Sequence, residues 1–234
     1  MVFPPHALRL AGAIKAGPNG PQHWTGLCAT GTWQSPIDIN TKQILPVSFN
    51  NQLGLTIHYQ GNVASFTVKN TGYTLQILGE PLKQRYIEFN GDRYSFLQLH
   101  YHTPSEHEID AKSYPLELHF VNIDHNNHLA VLGVLVKPGA FNPELQKMIV
   151  TTQRMRKRYR GNIDFSELLP SNTQGYYYYS GSLTTPPCSQ GVNWFVFKTP
   201  ITASAKQIAI LSKRFGNTSR PLQPVNQRLV LSIN

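Results

Sequence analysis

Cysteine is nearly missing from this chain: Cys28 and Cys188 are the only two in 234 residues. Two thiols are too few for a zinc knuckle, and their wide separation excludes a CxxC redox motif. In a reducing compartment they are simply two small residues. In an exported protein they are able to close one long-range disulfide, and their spacing alone does not choose between these readings. Charge is scarce as well, at 14 % of residues, and acids are the rarer sign: 12 Asp+Glu against 21 Lys+Arg, a formal net charge of +9. A basic excess permits contact with polyanions or anionic surfaces. Its densest run is Arg154-Met155-Arg156-Lys157-Arg158-Tyr159-Arg160. A nucleic-acid groove interleaves aromatics with its basic residues on a recognisable fold, and neither sign is present. Nucleic-acid binding is therefore not expected, and the run reads as a solvated helix end and loop with at most a weak polyanion contact.

Long apolar runs are also lacking. No stretch approaches the roughly 20 apolar residues that cross a bilayer. The opening Met1-Val2-Phe3-Pro4-Pro5 has no apolar core of the signal-peptide kind, so export is not visible here. Linkers, low-complexity blocks and internal repeats are absent too. Residues 1–234 are accordingly expected to form a single domain, with 1–16 irregular.

What is abundant is turn and strand chemistry. Hydrophobic residues make up 40 %, aromatics 11 %, and Gly and Pro stand at 17 each, a mixture that favours a turn-rich sheet protein over a helical bundle. Strands are predicted at 55–59, 64–68, 73–78, 85–89, 94–102, 116–123, 129–136 and 192–198, with Asn90-Gly91-Asp92 as a hairpin turn. Helices are predicted at 143–150 and at 202–215, the second closed by Gly216. The fold class is α+β, dominated by sheet, with short peripheral helices.

The chemistry gathers in two of these strands. In Gln98-Leu99-His100-Tyr101-His102 the side chains of Gln98, His100 and His102 share one face, because strand residues alternate. Two imidazoles on one face are able to bind one metal ion, and Glu117-Leu118-His119 offers a third in matching phase. Three neutral imidazoles leave a tetrahedral zinc one open position, the arrangement of a catalytic site. Each ligating histidine needs an acceptor for its other N–H, and Gln98 and Glu117 stand two residues before a ligand.

These residues, with Ser105-Glu106-His107, Tyr114 and Glu117-Leu118-His119-Phe120-Val121, closely resemble the signature of the α-carbonic anhydrases. Gly20-Pro21-Gln22-His23-Trp24, Gln34-Ser35-Pro36-Ile37-Asp38-Ile39 and Ser180-Gly181-Ser182-Leu183-Thr184-Thr185-Pro186-Pro187-Cys188 extend the likeness from about Gly17 to the C-terminus. The resemblance implies a large, twisted, mostly antiparallel sheet of about ten strands. It also implies Zn2+ on His100, His102 and His119, and reversible hydration of carbon dioxide to bicarbonate. Thr184 would donate its proton to an ionised Glu106 and so orient the attacking oxygen. Val121, Val131, Leu183, Val192 and Trp194 would form an apolar wall for carbon dioxide, with Thr185 near substrate or bicarbonate; each wall residue taken alone reads more readily as core. Cys28 and Cys188 look like the disulfide pair of exported members, which implies a periplasmic or secreted enzyme. The resemblance also allows a homodimer.

Two departures stand out. Many members shuttle protons with a histidine after an Asn-x-Gly turn, whereas Asn70-Thr71-Gly72 is followed by Tyr73. A phenol titrating near 10 is poorly matched to a donor near 7, so slow proton release is expected. Residues 1–16 match nothing in the family's aromatic N-terminal segment. The rival reading is a non-catalytic binding or storage protein on the same fold. Such relatives have lost zinc ligands, and this chain keeps all three.

Overall fold

Strand-length runs of alternating and doubly apolar residues build one large sheet at the centre of the fold. The computed structural model describes residues 20–47, 54–59, 67–71, 74–78, 84–153 and 163–234. In chain order its elements are α1 (Leu27–Thr30), β1 (Asp38–Ile39), β2 (Leu45–Val47), β3 (Thr56–His58), β4 (Thr67–Asn70), β5 (Leu75–Leu78), β6 (Tyr86–Phe89), β7 (Asp92–His102), β8 (Glu108–Ile109), β9 (Leu116–Ile123), β10 (Leu129–Pro138), α2 (Pro143–Gln153), β11 (Tyr176–Ser182), β12 (Gln190–Phe197), β13 (Ile201–Ala203), α3 (Ala205–Phe215) and β14 (Leu231–Ile233). Twelve strands join the main sheet. Its path runs β2-β14-β11-β12-β10-β9-β7-β5-β4, while β13 pairs with β10, and β6 bridges β3 and β7. Most pairs are antiparallel. The parallel ones are β10 with β12, β10 with β13, and β14 with β2. A separate parallel pair joins β1 to β8.

The central strands are buried on both faces, and the faces have different jobs. One carries Leu118, Phe120, Leu132, Val134, Phe195 and Phe197, and α2 and α3 cover it with Leu145, Met148, Ile149, Leu211 and Phe215. Each such side chain removed from water stabilises the fold by about 1.5–3 kcal/mol. The opposite face carries Val121, Val131, Leu135, Val192, Trp194 and Val196. This second face also holds the histidines, so the functional groups project from a sheet whose back is braced by helices.

The hairpin between β6 and β7 turns through Asn90 and Gly91, both at positive φ (52° and 81°), the geometry a two-residue primed turn demands. α2 runs three residues beyond its predicted end. α3 starts later than the predicted Thr202, because Ile201–Ala203 hydrogen-bond along β10 as β13. Ser204 then caps the helix, its side chain accepting from the Gln207 N–H and the Gln207 side chain reaching back. β11 was not predicted: Tyr176-Tyr177-Tyr178-Tyr179 carries no polar alternation, since both its faces are largely covered. The predicted strand residues 64–66 and Tyr73, the basic run Arg154–Arg160 and residues 1–16 lie outside the described residues.

Candidate metal centre and active site

Antiparallel register brings the three histidines together. His100 on β7 stands directly opposite His119 on β9, and His102 opposite Glu117. All three rings are buried, from 1 % to 8 % exposed. Their ring centroids lie 4.7–5.1 Å apart, and one nitrogen from each falls within a 4.8 Å group.

Two of the outer nitrogens are hydrogen-bonded, and the third lies beside a carboxylate without a hydrogen bond to it. His100 Nδ1 lies 2.9 Å from Gln98 Oε1, and His102 Nδ1 donates to the Thr218 carbonyl at 2.8 Å. His119 Nε2 stands 2.9 Å from Glu117 Oε1. A carbonyl only accepts, so the proton of His102 is on Nδ1 and its Nε2 carries a lone pair. The same reasoning gives His100 a lone pair on Nε2. These two Nε2 atoms face each other at 3.0 Å. Two lone pairs at that distance repel, and a cation between them turns the repulsion into coordination. Protonation is not the remedy. Burial, followed by the neighbouring imidazoles, holds His100 well below its ordinary pKa, and burial holds His102 down at about 4 and lowers His119 too. Three neutral nitrogen donors fit a divalent cation of the zinc type.

Glu117 is the hub behind the three histidines. Burial pushes its pKa up, but His107 and His119 outweigh that and hold it well below the usual carboxylate range. Its Oε2 accepts from the backbone N–H groups of Glu106 (2.9 Å) and His107 (2.8 Å), and its Oε1 accepts from His107 Nδ1 at 2.8 Å. Glu106 faces the centre from the other side. Its Oε1 accepts the Arg220 backbone N–H at 2.9 Å. Its buried Oε2 has no hydrogen bond and lies 3.4 Å from His102 Nε2 and 3.9 Å from His119 Nδ1. Burial raises the Glu106 pKa to about 7, against the opposing pull of His119, the Arg220 N–H and the Thr184 side chain.

The residues expected to line an apolar wall lie together in one cluster. Val131 pairs with Val121 on one side and Trp194 on the other, and Val192 and half-buried Leu183 join the same cluster. The Trp194 ring centre lies 4.9 Å from that of His119. Thr184 and Thr185 are buried in the loop after β11. That loop is tied down by the Cys28–Cys188 disulfide, by a Cys188 N–H to Thr185 carbonyl bond (2.9 Å), and by Gln34 Nε2 donating to the Cys188 carbonyl (3.0 Å). Tyr73 lies outside the described residues.

Several contributors were not legible as site residues. Thr218 supplies the acceptor for His102 from 116 positions away, and Arg220 holds Glu106 from 114. The Arg220 guanidinium donates to the Gln34 side chain and to the Ser35 and Cys28 carbonyls, locking that segment in place. Backbone groups carry no sequence signature, which is why they escaped notice. His107 belongs to the Ser105-Glu106-His107 motif, which by itself implies no role for it, and Tyr179 and Ser35 join it only in space.

The family model for eukaryotic-type carbonic anhydrase matches residues 19–234. A carbonic anhydrase from Nostoc sp. is 40 % identical over 225 residues, covering 92 % of this chain and 83 % of its own length. The α-carbonic anhydrase from Thermovibrio ammonificans, solved with sulfanilamide, superposes with a TM-score of 0.83 at 38 % identity, over 94 % of this chain and 100 % of that one. Dioscorin complexed with ascorbate has a TM-score of 0.84 at 27 % identity, over 95 % and 97 %. Likeness of this extent, in sequence and in fold together, settles the family: this chain belongs to the eukaryotic-type carbonic anhydrases.

Proposed function

We propose that this enzyme hydrates carbon dioxide reversibly at a zinc ion held by His100 Nε2, His102 Nε2 and His119 Nδ1. The carrying observation is the convergence of these nitrogens: the other ring nitrogens of His100 and His102 are hydrogen-bonded, and that of His119 lies 2.9 Å from the Glu117 carboxylate. Zinc held there would supply Lewis acidity, enough to lower the pKa of a water molecule to about 7. Glu106, when ionised, accepts only, so the Thr184 hydroxyl gives its proton to that carboxylate. Thr184 Oγ1 is then left as an acceptor toward the cavity and selects which way a donor there points. Val121, Val131, Leu183, Val192 and Trp194 would hold apolar carbon dioxide in the cavity beside the three histidines, while Thr185 meets bicarbonate. In sequence, Tyr73 stands where many family members carry the shuttle histidine, so proton release limits turnover. The disulfide suits a periplasmic or secreted enzyme.

The dioscorin likeness favours one second reading, a binding protein on this fold. Stopped-flow hydration by the zinc-loaded protein separates the two, and metal analysis tests the ligand set. Protein dialysed against chelator and then zinc is expected to retain one zinc per chain, and His119→Ala to retain none under the same washing. Equal zinc in both proteins contradicts the proposed ligand set.

A further inference from the structure

The acceptor behind His119 is itself held from two sides. Glu117 Oε1 is shared by two imidazoles, His119 Nε2 at 2.9 Å and His107 Nδ1 at 2.8 Å. The far nitrogen of His107, Nε2, is hydrogen-bonded to the Tyr179 hydroxyl at 2.7 Å. That hydroxyl donates to Ser35 Oγ at 2.8 Å, and Ser35 Oγ also accepts the Ser182 N–H at 3.0 Å. Tyr179 and His107 are fully buried. The indole of Trp194 lies 4.8 Å from the His107 ring and stacks with Tyr179 at 6.3 Å. The ring of His107 therefore has little freedom to tilt. On the other side stands Gly133, in register with His119. A Cβ there would come 2.9 Å from Glu117 Oε1 and 3.4 Å from a Val196 methyl. Only the bare backbone of glycine leaves the carboxylate where it is.

We propose that Tyr179 is a positioning residue for the metal centre: through His107 it fixes the Glu117 carboxylate against His119, with Gly133 leaving the space that carboxylate needs. The inference rests on the zinc reading above. A metal-bound imidazole holds best when its outer N–H meets a fixed acceptor, and loss of such partners costs about 10- to 100-fold in metal affinity. Removing the Tyr179 hydroxyl frees His107 to turn, and Oε1 then follows His107 away from His119.

The test is zinc release from the holoenzyme to excess chelator at 25 °C, with thermal unfolding measured beside it. Tyr179→Phe and Gly133→Ala act on opposite sides of the same oxygen, and both are expected to release zinc about 10-fold faster, at the lower end of the range for outer partners. Should Tyr179→Phe not fold, Ser35→Ala removes the group that anchors the tyrosine and carries the same expectation. Folded variants with a lower Tm but a wild-type release rate mean that the chain of hydrogen bonds is purely structural, and they overturn the proposal. Wild-type protein that takes up no zinc overturns the zinc reading itself, so the two failures are told apart.

Discussion

Opening the Cys28–Cys188 bond tests stability and catalysis at once. The bond joins residues 160 positions apart. Closing a loop of that length removes about 17 cal/mol/K from the unfolded chain, or about 5 kcal/mol at 25 °C. For 234 residues the unfolding entropy near Tm is about 0.5 kcal/mol/K, so the Cys28→Ser/Cys188→Ser protein is expected to melt about 10 °C lower. The bond also anchors the Thr184 loop, with Cys188 four positions after Thr184 and bonded to Thr185. Arg220, whose N–H holds Glu106, is tied to the Cys28 carbonyl at 2.9 Å. Displacements near 1 Å cost about 100-fold in rate, so kcat/KM for carbon dioxide at 25 °C is expected to fall between about 10- and 100-fold. Differential scanning calorimetry and stopped-flow hydration, both on the double variant and on wild type with and without reductant, read the two effects. An unchanged Tm refutes the loop-entropy argument. A lower Tm with unchanged kcat/KM refutes the claim that the bond positions the Thr184 loop.

Three further outcomes are expected. Thr184→Ala keeps its zinc but loses about 100-fold in kcat/KM, the scale of a misplaced proton-transfer partner, and equal zinc content by metal analysis separates this from metal loss. Burial lifts the Glu106 pKa in the metal-free protein from 4.5 to about 7, so the stability its protonated form contributes is complete below pH 4.5 and is lost as pH rises through 7. That loss is about 3 kcal/mol; Glu106→Gln does not suffer it, and the metal-free variant should gain in Tm relative to wild type between pH 4.5 and 8 while its zinc form is nearly inactive. Tyr73→His, or imidazole buffer added to wild type, raises kcat with little change in kcat/KM, and a kcat indifferent to both contradicts proton release as the slow step.

The clustering of the three histidines was legible because strand periodicity is strict. Two residues per repeat put Gln98, His100 and His102 on one face, and the same phase put Glu117 beside His119; the register His100 to His119 then followed from antiparallel pairing. The hairpin at Asn90-Gly91 was legible for a similar reason, since few other pairs accept positive φ twice in succession. What escaped was whatever depends on a partner far along the chain. The start of α3 moved because Ile201–Ala203 found an edge of β10, and nothing local announces such an edge. β11 escaped because four consecutive tyrosines show no alternation when neighbouring layers cover both sides. The Thr218 carbonyl and the Arg220 N–H are backbone groups, available at almost any position, and only the fold selects them. Tyr179 reads as one aromatic among many until His107 and Ser35 are seen on either side of its hydroxyl.

The most direct test of the central claim is stopped-flow carbon dioxide hydration by metal-free protein before and after one equivalent of zinc. Negligible hydration that rises to full activity at one zinc per chain, and that His119→Ala cannot recover, is the predicted result. Hydration that is equally fast without zinc, or zinc binding at these histidines with no hydration, would contradict it.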